Sequence, residues 1–559
     1  MAKFKWSEVT VEDVIKAVNM FESENPEYPE PRSTFLLYNG KKYPAKHIRQ
    51  MAYKVHFGQE IRKADFSGGE ETVRFFERLG FQTQYTHKSV NTHPMQKINT
   101  LKAGKLTHKD EALPTQQMKQ ESDTDRKSIK IGLYLQTNEL YGNHQAFDDA
   151  MDVVRLSDID ILVLPEFAFF PFTEEYCEAD FLNNGDLQQL FDKALDLSYE
   201  IGRAVVICNE DRFGTIMSIY ANAFASVNET TIKYYIKHTM TNCSACDLEP
   251  YHQCAEEVFR PIIYKGYRIG LTICYDCNHS VFSRKYGQAG VDIILNSTGG
   301  NVVYDKWFKY NKVRAIENEC FTFVTMGGDG NKDNPNSYVY GFTPSGKEMC
   351  PILLNGKNDE CRNVPGGIYV YDTAEDDGTA EPDSGVDQIE SVNKNSDLCI
   401  PIDGVNDFIQ KAKPLIDGIR ISEHNGMNIV MCLADGEDIL KPENVLKLLY
   451  AKELKELKNK RYIIINRWDT VDPELYRTKL SVLLKVRSME NYCAVLLSSS
   501  NITKCYQCGQ NRTAQVVKAV DGQFGIDLSR TGGPETIWRN KAGMKAAWRD
   551  NIEWLISTM

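Results

Sequence analysis

The chain has 559 residues, 42% of them hydrophobic and 25% charged, with a formal net charge of −12. Such a length points to roughly two to four domains, and the acidic balance excludes a protein that coats duplex nucleic acid over its whole surface, since nonspecific affinity comes from neutralising phosphates. No apolar run reaches the ~18 residues needed to span a bilayer, and "MAKFKWSEVTVEDV" lacks the apolar core of a signal peptide; the expected location is the cytoplasm, with the fifteen cysteines present as reduced thiols.

Residues 1–87 read as an accessory α+β module. "TVEDVIKAVNMFE" has helical periodicity, with Thr10 and Asp13 placed to cap its start. "STFLLYNGKKYPAKHI" reads as strand, Asn39-Gly40 turn and short strand. A further helix leads to Gly68 and Gly69, which punctuate a turn before the amphipathic "EETVRFFERLGF". Residues 88–128 are polar, poor in apolar side chains and read as a flexible linker.

From residue 129 to about 372 strands alternate with helices, the pattern of an α/β layered protein. "KIGLYLQ", "IDILVLPEF", "RAVVICNE", "IYANAFASV", "TIKYYIKHT", "YRIGLTIC", "VDIILNST" and "CFTFVTMGG" are the expected strands, and "NSYVYGFTPSGKEM" is expected to close the series. "NHQAFDDAMDVVRLS", "DLQQLFDKALDLSYEIG" and "YNKVRAIENEC" are the expected helices. Residues 373–397 form an acidic linker or insertion. Residues 398–559 read as a second α/β domain carrying an echo: "KVRSMENYC" at 485–493 repeats "KVRAIENEC" at 312–320, each after a strand containing Asn (Asn466, Asn296) and each leading into an apolar strand. That context points to a duplication, with the C-terminal domain a degenerate half-repeat packed beside the first.

Cysteine-based acyl transfer needs a thiolate, a base and donors for the oxyanion. Three strand ends supply them. Glu166 ends "LVLPE", where partial desolvation suits a general base. Lys237 ends "YYIK", a cation for developing negative charge. Cys274 ends "YRIGLTIC", with the Tyr275 amide beyond it, and needs a neighbouring Lys and Glu to be reactive at neutral pH.

These residues carry a resemblance. Glu in "LPEF", Lys in "YYIKH" and Cys in "GLTICYD", in that order, resemble the Glu-Lys-Cys triad of the nitrilase (carbon–nitrogen hydrolase) superfamily. "GQAGVDIILNST", "VRAIEN" and "YVYGFTPSGKEM" are similar to its other landmarks, and the similarity covers residues 128–372. It implies an αββα sandwich and association into a homodimer or larger homo-oligomer. It also implies Cys274 as nucleophile, Glu166 as general base and acid, and Lys237 at the tetrahedral intermediate. A second glutamate is implied between lysine and cysteine, with Glu249 fitting best and Glu256 and Glu257 as competitors. Tyr275 and Asn296 are expected to contact substrate. No cofactor is implied. The run "CNHSVFS" departs from the family pattern after the nucleophile and leaves the substrate open, an amide being favoured over a nitrile.

Two cysteine groups lie outside that scheme. Cys243, Cys246, His252 and Cys254 have the softness and count that suit zinc, against a substrate-lining loop with reduced thiols. Cys505 and Cys508 form a lone CxxC expected in a loop. Cys277 is an incidental neighbour of the nucleophile, and Cys432 is expected after a strand much as Cys274 is, with a structural role. The N-terminal module resembles the head domain of some modified-base-dependent restriction endonucleases, which would bring residues 1–87 to nucleic acid or to bacterial defence; a protein-docking module is the other reading. The function expected is thus an amidase-like hydrolase with a head that regulates it, and the alternative is a non-catalytic sensor or oligomeric scaffold.

Overall fold

The computed structural model describes residues 6, 9–24, 34–39, 41–59, 61, 69–85, 128–135, 152–166, 204–211, 214–221, 231–236, 259–299, 304–327, 339–357, 365–375, 377–380, 397–509, 512–537 and 552–559. The chain divides into two compact units, one of them containing the N-terminal module.

In that module α1 (Val11–Glu24) starts on the expected capping box. The Thr10 amide donates to Asp13 Oδ2 at 2.9 Å and the Asp13 amide to Thr10 Oγ1 at 3.3 Å, so two orphan donors of the first turn are satisfied. Burial opposes ionisation of Asp13, but the Thr10 amide, His56 and the Thr10 hydroxyl together lower its pKa. Strands β1 (Thr34–Tyr38) and β2 (Lys41–Pro44) form the expected hairpin, with Asn39 at φ 49, the left-handed conformation a two-residue turn requires. Helix α2 (Ala45–Phe57) follows at once, then α3 (Gly69–Arg78) and β3 (Gln82–Tyr85), which pairs with the other side of β1. Val14, Val18, Leu36, Ile48, Ala52 and Phe76 meet in its core. Arg49 is buried there, its guanidinium stacked 4.0 Å from the Trp6 ring and donating to Thr72 Oγ1 at 3.3 Å.

In the larger unit β4 (Lys130–Leu135), β5 (Ile161–Glu166) and β6 (Ala204–Asp211) run parallel, and β7 (Gly214–Ala221) turns back antiparallel on β6. With β8 (Thr231–Ile236), and with β14 (Ile352–Lys357) and β15 (Gly366–Asp372) on the far side, they make a seven-stranded sheet in the order β14-β15-β4-β5-β6-β7-β8. A five-stranded sheet, β13-β12-β11-β10-β9, is built from β9 (Ile262–Tyr264), β10 (Tyr267–Ile273), β11 (Ile293–Thr298), β12 (Phe321–Met326) and β13 (Tyr340–Phe342). Its three middle strands are parallel and its edges antiparallel. Every residue of β5 and β11 is buried, the apolar starts of both strands and their polar ends alike, as strands covered on both faces require. The two sheets touch: Ser297 Oγ donates to the Leu164 carbonyl at 2.8 Å and Thr325 Oγ1 to the Tyr134 carbonyl at 2.6 Å. Helices α4 (Ser280–Gln288) and α5 (Tyr304–Asn318) run beside the five-stranded sheet. The strand expected at "IYANAFASV" begins earlier, at Gly214, and ends at Ala221; residues 222–230 lie outside the described set.

The C-terminal region repeats part of this plan. After β16 (Leu398–Pro401) and α6 (Val405–Lys411) come β17 (Lys413–Ile416), β18 (Ile419–His424), β19 (Met427–Asp435), α7 (Pro442–Leu449), β20 (Lys460–Arg467), α8 (Ser481–Asn491), β21 (Ala494–Ser498), β22 (Thr503–Cys508) and β23 (Ala514–Val517). Strands β17 to β23 form one seven-stranded sheet in sequence order; β19, β20 and β21 are parallel, flanked by antiparallel β18 and β22. That is the direction pattern of β9 to β13. One face of this sheet presents Ile429, Met431, Ile463, Ile465, Ala494 and Leu496 to α6 and to a small sheet made of β16, β24 (Ala519–Val520) and β25 (Gln523–Ile526). The other face carries α7 and α8. Cys432 lies inside β19, four residues before its turn, and Cys505 and Cys508 lie in β22, not in a loop. Three residues apart in a strand, the last two point to opposite faces and do not converge on one ion.

Helix α4 packs on α7, and α5 on α8. Arg314 Nη1 donates to Glu317 at 2.5 Å and its Nη2 to Glu490 at 2.5 Å; Arg487 Nη1 donates to Glu490 at 2.6 Å and its Nη2 to Glu317 at 2.9 Å. The arrangement is reciprocal in further atoms. Arg314 Nε donates to the Cys277 carbonyl at 2.8 Å, and Arg487 Nε to the Ile439 carbonyl at 3.3 Å. Asn318 and Asn491 each donate back to the carbonyl of their own helix's arginine. All four charges are buried, so each is tolerable only because the others are present.

Candidate active site

Strand β10 delivers its chain to a tight turn because its apolar run ends at Ile273 and the next residues, Cys274–Asn278, wind into one 3-10 turn that feeds α4. Cys274 heads that turn with φ 41. A non-glycine, non-Asn residue held in the left-handed region costs of order 1–3 kcal/mol and clusters at functional sites. Its conformation leaves the amides of the following residues at a helix start, where no intrahelical acceptor serves them.

Glu166 ends β5 in the other sheet. Ser297 lies opposite Ile273 in the β10–β11 register and its hydroxyl binds the Leu164 carbonyl, two residues before Glu166. The C-terminal ends of β5, β10 and β11 therefore open on one side. Gly327, just past β12, closes the same edge: a Cβ there would lie 3.0 Å from the Gly299 carbonyl and 3.1 Å from that of Glu166. Cys274 is 6% exposed and Glu166 2%.

Strand β8 arrives beside the turn as well, since Tyr235 Oη donates to Asp276 Oδ2 at 2.7 Å. Lys237 follows two residues later and lies outside the described residues, as do Glu249, Glu256, Glu257 and the group Cys243, Cys246, His252 and Cys254. Asn296 is fully buried between strands, donating to Thr272 Oγ1 at 3.1 Å and accepting from Thr298 Oγ1 at 2.8 Å, so its amide braces the strand that precedes Cys274. Tyr275 is half-buried, with its ring against His279 and Trp307.

Burial pushes Cys277 up to about 12, against the pull of Arg314 and Asn311, so it stays a thiol at neutral pH. His279 is driven down to about 3 by burial and by Arg512, Arg314 and Lys306, and is neutral. Among the described residues no group of three or more His, Cys, Asp or Glu is placed to hold a metal, and no helix is long and apolar enough to cross a membrane.

Two side chains at this site carry no sequence signal that singles them out. Lys306, at the start of α5, is 6% exposed, and Arg512, over two hundred residues beyond the turn, donates from Nη1 to Tyr275 Oη. Only the folded chain brings Arg512 to the residue after Cys274.

Two segments resemble known families. Residues 117–341 match the carbon-nitrogen hydrolase model. Residues 7–85 match the ScoMcrA-like N-terminal head domain. Among solved structures, the chain is similar to the amidase from Nesterenkonia sp. AN1. A mutant of that enzyme bearing acrylamide added at its active-site cysteine is 16% identical and covers 45% of this chain and 94% of its own, with a TM-score of 0.35. Another mutant, described as from the nitrilase superfamily, is 16% identical with 44% and 91% covered and a TM-score of 0.35. A third, in complex with butyramide, is 16% identical with 44% and 90% covered and the same TM-score. No curated protein matches.

Proposed function

We propose that the hydrolase domain is a thiol-dependent amidase built as an αββα sandwich, with Cys274 as nucleophile and Glu166 as general base. The observation that supports this is a cysteine held left-handed at the head of a helical turn, on a strand whose neighbour binds the Leu164 carbonyl two residues before Glu166. The Cys274 thiol gives its proton to Glu166 as sulfur attacks the amide carbon, and Lys237 offsets the charge that develops on oxygen. Glu166 returns the proton to the departing nitrogen, which leaves as ammonia and a thioester on Cys274. Water then attacks the thioester while Glu166 takes its proton, the acid departs and the thiol is restored. Glu249 is proposed as the second glutamate, and the Tyr275 amide as an oxyanion donor.

We further infer that residues 398–559 are a degenerate half-repeat. Supporting it are the shared strand directions, the reciprocal arginine–glutamate contacts, and Gly436 with φ 52 where Cys274 has φ 41, each starting the turn beyond its strand. The head, residues 1–87, is proposed to regulate the hydrolase.

The test is ammonia release from butyramide and a panel of amides and nitriles, wild type against Cys274→Ala, together with alkylation mapping of all cysteines. Turnover by wild type alone, with Cys274 alkylating fastest, supports the reading. No turnover by either and no preferential alkylation sinks it in favour of a scaffold.

A further inference from the structure

Beyond the nucleophile turn, side chains from the two repeated regions meet in an unusual charge arrangement. Arg512 binds Tyr275, the Tyr275 ring lies 6.1 Å from that of Trp307, and Lys306 Nζ sits 5.5 Å from the Trp307 ring centre and 5.9 Å from that of Tyr310. Among the described residues no carboxylate pairs with either Lys306 or Arg512. Burial, with Arg512 adding repulsion, pulls Lys306 down to about 8. Two neighbouring cations held in a largely desolvated place without a counter-charge are costly unless something anionic joins them. A further donor points to the same need: Trp307 Nε1 is buried and has no hydrogen-bond partner.

The arrangement is one-sided. Where α5 has Lys306, Trp307 and Tyr310, the matching turn before and within α8 has Lys479, Leu480 and Leu483, and Lys479 is half-buried. Both turns carry a lysine, but among the described residues the aromatic shelf and the arginine lie beside Cys274 alone.

We propose that Lys306, Arg512 and the Trp307 indole N–H form a binding site for a small oxyanion beside Cys274, filled by the carboxylate of an amide substrate. The inference rests on the amidase reading for its substrate. A guanidinium can bind a carboxylate while the ammonium and the indole take its remaining lone pairs, charge-assisted bonds being the stronger kind. The preferred substrate is then the half-amide of a dicarboxylic acid.

Succinamate and butyramide differ in little but the charge and make the test. In full-length wild type kcat/KM should favour succinamate, and that ratio should fall about tenfold or more in Lys306→Met and in Arg512→Gln, mainly through KM. Arg512→Lys should restore part of it. In parallel, inorganic phosphate and succinate should raise the Tm of wild type more than that of either variant, a readout that does not need turnover. If phosphate protects wild type selectively but succinamate is not preferred, the substrate assignment is overturned and the site takes a free anion. Equal protection of wild type and both folded variants overturns the site itself. Failure of wild type to hydrolyse any amide while anion protection persists would instead count against the amidase reading.

Discussion

The sheet regions from β9 to β13 and from β18 to β22 start from the same plan and diverge in what covers them. In the first, one face meets a seven-stranded sheet through Ser297 and Leu164, two residues before Glu166. In the second, among the described residues, that face meets α6 and the small sheet of β16, β24 and β25. The opposite faces are alike, and there the two regions pack helix on helix through the same four charged residues. Packing and chemistry thus separate cleanly: the shared face holds the molecule together, and the unshared face decides which region can react.

The widest gap between the regions should be chemical. Cys274→Ala should cut ammonia release by about 10³-fold or more, while Cys432→Ala leaves it intact and Gly436→Cys adds none. A gain of turnover from Gly436→Cys would break the contrast.

Next comes the shared face, where Glu317→Ala and Glu490→Ala should each cost about 3–5 kcal/mol, because each strands two buried guanidiniums. Thermal unfolding of the two should be nearly equal. A large inequality would break the equivalence of the two helices.

Lys306 offers a smaller effect with a pH signature. Its folded pKa of about 8 lies below the unfolded 10.5, so the charged form is disfavoured by folding. At low pH this penalty is present in full; from about 8 to 10.5 the unfolded chain binds more protons, so stability rises with pH. Relative to wild type, Lys306→Met should gain up to about 3 kcal/mol below pH 8 and lose that advantage near pH 10.5. Denaturation of both proteins across that range checks it, and a pH-independent difference would show that Lys306 is already neutralised.

The smallest effect concerns the backbone alone. Cys274→Gly should unfold at or above the temperature of Cys274→Ala, by about 1 kcal/mol, since glycine adopts the left-handed region freely. Gly436→Ala should lose a similar amount, and a scan of the four proteins decides both.

Much of this was legible in the sequence. The strand ends at Glu166 and Cys274 show because apolar runs of buried strands stop abruptly at polar residues. The echo of "KVRAIEN" in "KVRSMEN" showed that two helices were related. It did not show that they touch, because Arg314 and Glu490 are 176 residues apart and charged residues in a helix ordinarily face water. Cys432, expected after its strand, lies inside it, because the strand runs on to Asp435 under its ladder with β20; the turn there starts at Gly436, which is like Cys274 only in φ. Arg512 was invisible for the same reason as the quartet: local pattern carries no record of what a distant loop will meet.

The reciprocal quartet has a consequence for how this molecule can vary. In an interface between two copies of one chain every substitution appears twice, and a change that helps one side must be borne by the other. Here the two halves are encoded separately. An aromatic shelf can be placed on α5 where the matching positions at α8 are leucines, and an arginine can meet Tyr275. Separate encoding frees the site from the obligation of symmetry.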